Sequence, residues 1–305
     1  MSSYDVVVIG TIFVDIKGFP QLSYDPRGRN IGNVHFYHGG VGRNIVETMA
    51  QLEVKTAFAS TVDSSALGQE VMERLKAKDI ETSFVQEVEQ GMGMWLAILN
   101  EQGDLAGSIS QMPSHDNMEE AILSKVDEFV AASSAVALEI DLTERIAEAV
   151  VEKALQMERP IYALPGNLAV ILKRKDLFQH VQCFICNDVE ATKITGISLG
   201  SDIQVRAAAE ALLALGMKQV VVTLGEKGCF YADATTKDQG FVAPIPTDVV
   251  DTTGAGDSFF AGTVAALSKG QSLEDAVLQG TRVAAATISS TESTCQNLQE
   301  KLQEY

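Results

Sequence analysis

Val6-Val7-Val8-Ile9-Gly10 decides the architecture. An unbroken β-branched run closed by glycine reads as a strand buried on both faces. Such a strand needs helices above and below it, which is the α/β arrangement around a parallel sheet. Working outward, further strands are expected at 57–62, 135–140, 161–164, 182–186 and 219–224. Helical periodicity falls at 44–52 and 68–78, and after Met112-Pro113 helix and strand are expected to alternate to the C-terminus. Two stretches break the rhythm. Residues 11–36 carry Gly18, Pro20, Pro26, Gly28, Asn30 and Gly32 without helical period, and 91–112 reads as a β-hairpin around the turn 101–104. Together they predict a small sheet apart from the main one, inside a single unit spanning 1–305.

Composition narrows the partners. A chain of 305 residues, 46% hydrophobic, buries a core without disulfide or metal staples. Its 41 acidic against 23 basic residues, a net charge of −18, argue against nucleic acid and anionic membranes as partners. Small anions remain possible ligands, because backbone N–H groups can cradle them locally. Cys183, Cys186, Cys229 and Cys295 are too few and irregular for a disulfide framework, and reduced thiols are expected. Cys183 and Cys186 lie i, i+3 on a strand and so face opposite ways, which argues against a zinc or redox pair. No basic leader and no apolar run near the roughly 20 residues of a bilayer span is present, so a cytoplasmic protein is expected.

The chemistry concentrates in Val250-Asp251-Thr252-Thr253-Gly254-Ala255-Gly256-Asp257-Ser258-Phe259-Phe260-Ala261-Gly262. The glycines permit a tight turn, and an apolar helical pattern begins at Phe259. Free N–H groups and the positive dipole end then converge on an anion site, suited to a phosphoryl group in transit. Asp257 has two readings there: a favourable first-turn acid, or the base that accepts a proton from an attacking hydroxyl.

Asp251-Thr252-Thr253-Gly254-Ala255-Gly256-Asp257 resembles the C-terminal signature of the ribokinase (PfkB-type) family of carbohydrate and nucleoside kinases. Gly39-Gly40-Val41-Gly42-Arg43-Asn44 resembles its sugar-contacting signature, Asn187-Asp188-Val189-Glu190 its N-x-x-E motif, and Thr223-Leu224-Gly225-Glu226-Lys227-Gly228 its nucleotide-side turn. The pieces fall in the family's order. The resemblance implies a three-layer α/β/α ribokinase-like fold with a mostly parallel sheet and a β-lid, ATP and Mg²⁺ as cofactors, and a small-molecule acceptor. It implies Asp257 as general base and Gly254, Ala255 and Gly256 as the anion hole. Asp15, Gly40, Arg43 and Asn44 would hold the acceptor, Asn187, Thr223, Gly225 and Gly228 would face the nucleotide, and Glu190 would organise the metal. A monovalent cation (K⁺) beside Asp251 and Thr253 and a homodimer through the lid also follow from the resemblance.

Plainer readings stand beside these roles. Asp15 could be a turn residue, Asn187 and Glu190 a helix cap with its first-turn acid, and Thr223 with Gly225 a strand end. Arg43 could form a surface ion pair with Glu47 at i+4. Among acceptors, Gly39 to Ile45 is similar to the form seen in pseudouridine kinases, as are 27–36 and the tail 290–298, so the pseudouridine 5′-hydroxyl ranks first. Ribose, fructose phosphate and ketodeoxygluconate are the alternatives, with a non-catalytic sugar or nucleoside sensor as a different class. A dinucleotide-binding module is disfavoured, since Gly10-Thr11-Ile12-Phe13-Val14-Asp15 lacks the glycine fingerprint.

Overall fold

Val6 and Val8 enter one hydrophobic core while Val7 and Ile9 enter another. The same alternation divides Phe58 from Ala57 and Ala59, and Ala135 and Ala137 from Val136 and Leu138. Two cores on opposite faces of one sheet make a three-layer α/β/α molecule.

The computed structural model describes residues 3–102, 104–140, 142–166 and 168–305. The first strands are β1 (Tyr4–Ile9), β2 (Phe13–Pro20), β3 (Gly32–Gly39), β4 (Thr56–Val62), β5 (Val85–Glu87), β6 (Gly93–Leu99) and β7 (Leu105–Gln111). They are followed by β8 (Ser133–Glu139), β9 (Ile161–Leu164), β10 (Cys183–Asn187), β11 (Gln219–Thr223), β12 (Cys229–Asp233) and β13 (Gln239–Val242). The main sheet runs β13-β12-β11-β10-β9-β8-β1-β4-β5. It is parallel from β11 through β5. Strands β12 and β13 are antiparallel, which corrects the expected helix–strand alternation in this region. The physical reason is chain length: the short turn between Thr223 and Cys229 cannot hold a helical crossover.

Strands β2, β3, β6 and β7 form their own sheet in the order β3-β2-β6-β7. The hairpin between β6 and β7 closes through Asn100 N–H donating to the Asp104 carbonyl at 2.8 Å, with Gly103 of the expected turn outside the described residues. Asp15 pairs with Tyr37 and Trp95, and Trp95 with Ser110. One position along, Ile16 pairs with Phe36 and Leu96, and Leu96 with Ile109, on the opposite face.

Helix starts differ from their apolar patterns. The helix expected at 44–52 runs Val41–Gln51, and the one expected from Phe259 runs Ala255–Ser268. Ala255, Gly256 and Asp257 carry no apolar signal at the second start, and at the first Gly42 and Arg43 separate Val41 from the apolar stripe. All four cysteines are free and buried, with Cys183 and Cys186 in opposite cores. Among the described residues no helix is long and apolar enough to cross a membrane.

Candidate active site

Sheet order reverses at β1, which lies between β8 and β4. In an open parallel sheet, ligands bind outside the carboxyl ends of the strands at such a reversal. Here a cavity of about 460 Å³ opens beneath the small sheet. Thr11 just beyond β1, Glu139 at the end of β8 and Gly166 beyond β9 form one wall. Asp15, Trp95 and Ser110 close it from the small sheet, and Gly40, Asn44, Thr253, Gly254 and Asp257 come from two helix starts.

Gly40 and Gly254 make those starts possible. Gly40 has φ +97°, and a Cβ there would lie 2.5 Å from the Thr11 carbonyl oxygen. That close approach brings the helix Val41–Gln51 directly onto the end of β1. Gly254, with φ +78°, stands before the helix Ala255–Ser268. Asp257 therefore sits in the first turn, where the N–H groups of Gly256 and Asp257 have no intrahelical acceptor. The Ala255 N–H instead donates to the Thr252 carbonyl at 3.2 Å, so this member of the expected anion hole is already engaged.

Asp257 meets Asn44 across the pocket floor: Asn44 Nδ2 donates to Asp257 Oδ2 at 2.6 Å. Burial pushes the Asp257 carboxyl up to about 6, against the opposing Asn44 hydrogen bond and the charge of Arg43. A carboxyl so placed can hold a proton near neutral pH, as a general base requires. Asp15 lies within β2 rather than in a turn. Burial raises its carboxyl too, with the charges of Lys17 and Arg43 opposing.

Arg43 departs from both sequence readings. It pairs with Glu47 at 3.2 Å, but the two side chains are 1% and 0% exposed, so the pair is buried rather than on the surface. Its side chain is not among those lining the cavity. The residues expected to face the nucleotide form a second group further along the same strand ends. Asn187 and Thr223 are register partners at the ends of β10 and β11. Asn187 and Glu190 form a reciprocal cap: Glu190 N–H donates to Asn187 Oδ1 and Asn187 N–H to Glu190 Oε2, both at 2.8 Å. Thr223 Oγ1 donates to the Cys186 carbonyl at 3.4 Å, and Gly225 and Gly228 lie in the turn that follows. None of these five lines the cavity beneath the small sheet.

Two contributors escaped the sequence reading. Glu139 ends an apolar strand, and its Oε2 accepts from Thr11 N–H at 2.9 Å and Thr11 Oγ1 at 3.0 Å. A carboxylate at the C-terminal end of a buried parallel strand was the available signal. Ser293 reaches Asn44 Oδ1 at 3.0 Å from 249 residues away, a contact no local pattern announces.

The chain is 36% identical to the guanosine-inosine kinase of Exiguobacterium acetylicum over 94% of its length and 95% of that protein. It is 25% identical to the pseudouridine kinase of Escherichia coli (strain K12), covering 89% and 86% respectively. Arabidopsis thaliana ribokinase, solved with ribose and ATP, superposes with a TM-score of 0.83 at 22% identity over 99% of each chain, a likeness of fold. The pfkB family carbohydrate kinase model matches residues 3–300, so the chain belongs to that family and is a phosphotransferase acting on an alcohol group.

Proposed function

We propose that the whole chain works as one kinase unit that transfers the γ-phosphoryl group of ATP to the 5′-hydroxyl of a nucleoside. The carrying observation is Asp257, set in the first turn of a helix start and held by Asn44 at 2.6 Å, at the floor of the acceptor cavity. Asp257 takes the proton of the acceptor hydroxyl as its oxygen attacks phosphorus and the bond to ADP breaks. The first-turn N–H groups beside Gly254 stabilise charge on the transferring oxygens. Asp15 orients the sugar hydroxyls, and Gly40 leaves room for them against the backbone.

Among the described residues no three His, Cys, Asp or Glu side chains converge as a metal cage. Magnesium, which keeps several waters and binds phosphate oxygens, would take Glu190 as its protein carboxylate, with Asn187, Thr223, Gly225 and Gly228 on the nucleotide side. Magnesium supplies charge neutralisation on the phosphates. The reading includes a monovalent cation beside Asp251 and Thr253.

Phe13, Trp95 and Met112 give the cavity apolar walls above its polar floor, which favours a nucleobase over a bare sugar. Guanosine or inosine takes first place as acceptor, displacing pseudouridine, because the guanosine-inosine kinase is the more similar relative at 36% against 25%. Pseudouridine is the second reading, favoured by the string Gly39 to Ile45. An ATP-consumption screen over guanosine, inosine, pseudouridine, uridine, adenosine, ribose, fructose 6-phosphate and ketodeoxygluconate tests this. A purine nucleoside should give the highest kcat/KM. Faster turnover of a free sugar or sugar phosphate than of every nucleoside would overturn the assignment.

The small sheet is also proposed as the contact with a second copy of the chain. Its outer row exposes Phe36 at 58%, Leu96 at 39% and Ile109 at 69%, aligned across β3, β6 and β7. A continuous apolar row of this kind needs cover. Light scattering at micromolar concentration should give a dimer. Phe36→Glu with Ile109→Lys should weaken it by about tenfold or more, which corresponds to about 1.4 kcal/mol. A wild-type monomer would rule the contact out.

A further inference from the structure

Arg43 is 1% exposed and lies behind the acceptor cavity. Its charge is met by Glu47, which Arg74 also grips through Nε at 2.8 Å and Nη2 at 3.0 Å. Glu47 thus keeps a cationic partner even without Arg43. The rest of the guanidinium serves other atoms. Nε donates to the Gly39 carbonyl at 3.1 Å. Nη2 reaches the His38 carbonyl, Asn44 Oδ1 and Ser293 Oγ, the last at 2.8 Å. Ser293 Oγ lies 3.0 Å from Asn44 Oδ1 and 2.9 Å from the His38 carbonyl.

The chemistry of these groups fixes one ambiguity. A carboxamide can turn end for end, presenting either its N–H₂ or its oxygen to a neighbour. A guanidinium has donors alone, so it can hold only the oxygen end of Asn44. The N–H₂ end must then face Asp257, where Nδ2 lies 2.6 Å from Oδ2.

We propose that Arg43, assisted by Ser293, is a positioning residue for the base: it locks Asn44 so that a donor, never a lone pair, faces the Asp257 carboxylate. The proposal rests on the reading of Asp257 as the base. It also explains why an arginine stands beside Asn44 without touching the cavity.

Other charged groups surround the site. Asp15 on β2 and Glu139 on β8 line the same cavity, and Lys17 pairs with Asp251 at 3.4 Å. Arg74, Lys78 and Glu292 form a layer behind Glu47. Of these, the Asn44 hydrogen bond and the Arg43 charge are the two that pull the Asp257 carboxyl down against its burial. Loss of Arg43 removes the charge and frees the amide to turn, so both restraints weaken together.

The test compares wild type with Arg43→Met, Arg43→Lys and Ser293→Ala. One readout is the ¹³C titration of the Asp257 carboxyl without substrate, assigned through Asp257→Asn. The other is kcat against pH with whichever nucleoside the wild type phosphorylates. Arg43→Met should move both the titration and the acid limb upward by about one pH unit, so kcat falls about tenfold at pH 5.5 and recovers to within about twofold at pH 8.5. Ser293→Ala should move them the same way by less, and Arg43→Lys should restore part of the shift. A folded Arg43→Met protein with an unmoved carboxyl titration, or a loss equal at every pH, would overturn the proposal. Should Arg43→Met not fold, an unmoved titration in Ser293→Ala overturns it instead. A wild type that phosphorylates no nucleoside sinks the acceptor assignment alone, since the carboxyl titration still decides the role of Arg43.

Discussion

Asp257→Asn should lower kcat by about 10²–10⁴, the usual worth of a positioned base. The amide keeps the size of the carboxylate and can still accept from Asn44, but it cannot take the hydroxyl proton. The KM for ATP should change little, because the backbone donors around Gly254 stay in place. Stability should move the opposite way from activity. Burial raises the Asp257 carboxyl from 3.8 to about 6, so the folded state disfavours its ionised form. The group therefore favours folding below its unfolded value, and that contribution is lost as pH rises through about 6. Above that pH the wild type carries a costly carboxylate. Asp257→Asn should be more stable at pH 8 by on the order of 1–2 kcal/mol, after allowing for partial access of water, with the difference vanishing near pH 4. A residue kept only as a first-turn acid gives the reverse: a loss of about 0.3–1 kcal/mol and normal turnover. Melting curves at both pH values and kcat on one preparation separate the two. A folded variant with near-normal kcat would end the catalytic assignment.

What the chain discloses in advance follows from how local each feature is. β1 is legible because burial on both faces demands an unbroken apolar run, and Val6 to Ile9 supply it. Asn44 and Asp257 stand in glycine-rich strings whose spacing has a mechanical purpose, and Asp15 follows shortly after the strand that Gly10 closes. The start of the helix Ala255–Ser268 is harder to read, since Ala255, Gly256 and Asp257 carry no apolar period although they occupy its first turn. Strands β12 and β13 hide for a related reason: the turn at 225–228 resembles a phosphate loop as much as a hairpin. The role of Arg43 is invisible from its neighbours. At i+4 from Glu47 it has the spacing of a solvated helix pair, yet distant segments such as the tail carrying Ser293 pack onto it. Glu139 shows the same limit, because a single acid closing an apolar strand has no spacing to measure.

Gly254→Ala should cost at least about 10² in kcat and should lower the melting temperature as well. Its φ of +78° is a conformation that an L-residue adopts at a cost of about 1–2 kcal/mol. Strain is the smaller part. A Cβ at this position would lie 2.1 Å from the Ser293 carbonyl oxygen and 2.8 Å from its carbonyl carbon. Backbone cannot swing aside as a flexible side chain does, so either the helix start or the 293 segment must shift. Shifting the helix start carries the first-turn N–H groups away from the transferring phosphoryl. Shifting Ser293 pulls its hydroxyl from Asn44 Oδ1 and loosens the amide that faces Asp257. Either route damages catalysis. Gly256→Ala is the control within the same turn, because nothing lies within 4 Å of its Cβ. It should keep the wild-type melting temperature. A Gly254→Ala protein with wild-type stability and kcat within about threefold would show that this contact yields freely, and the anion site would then have to lie elsewhere on the strand ends.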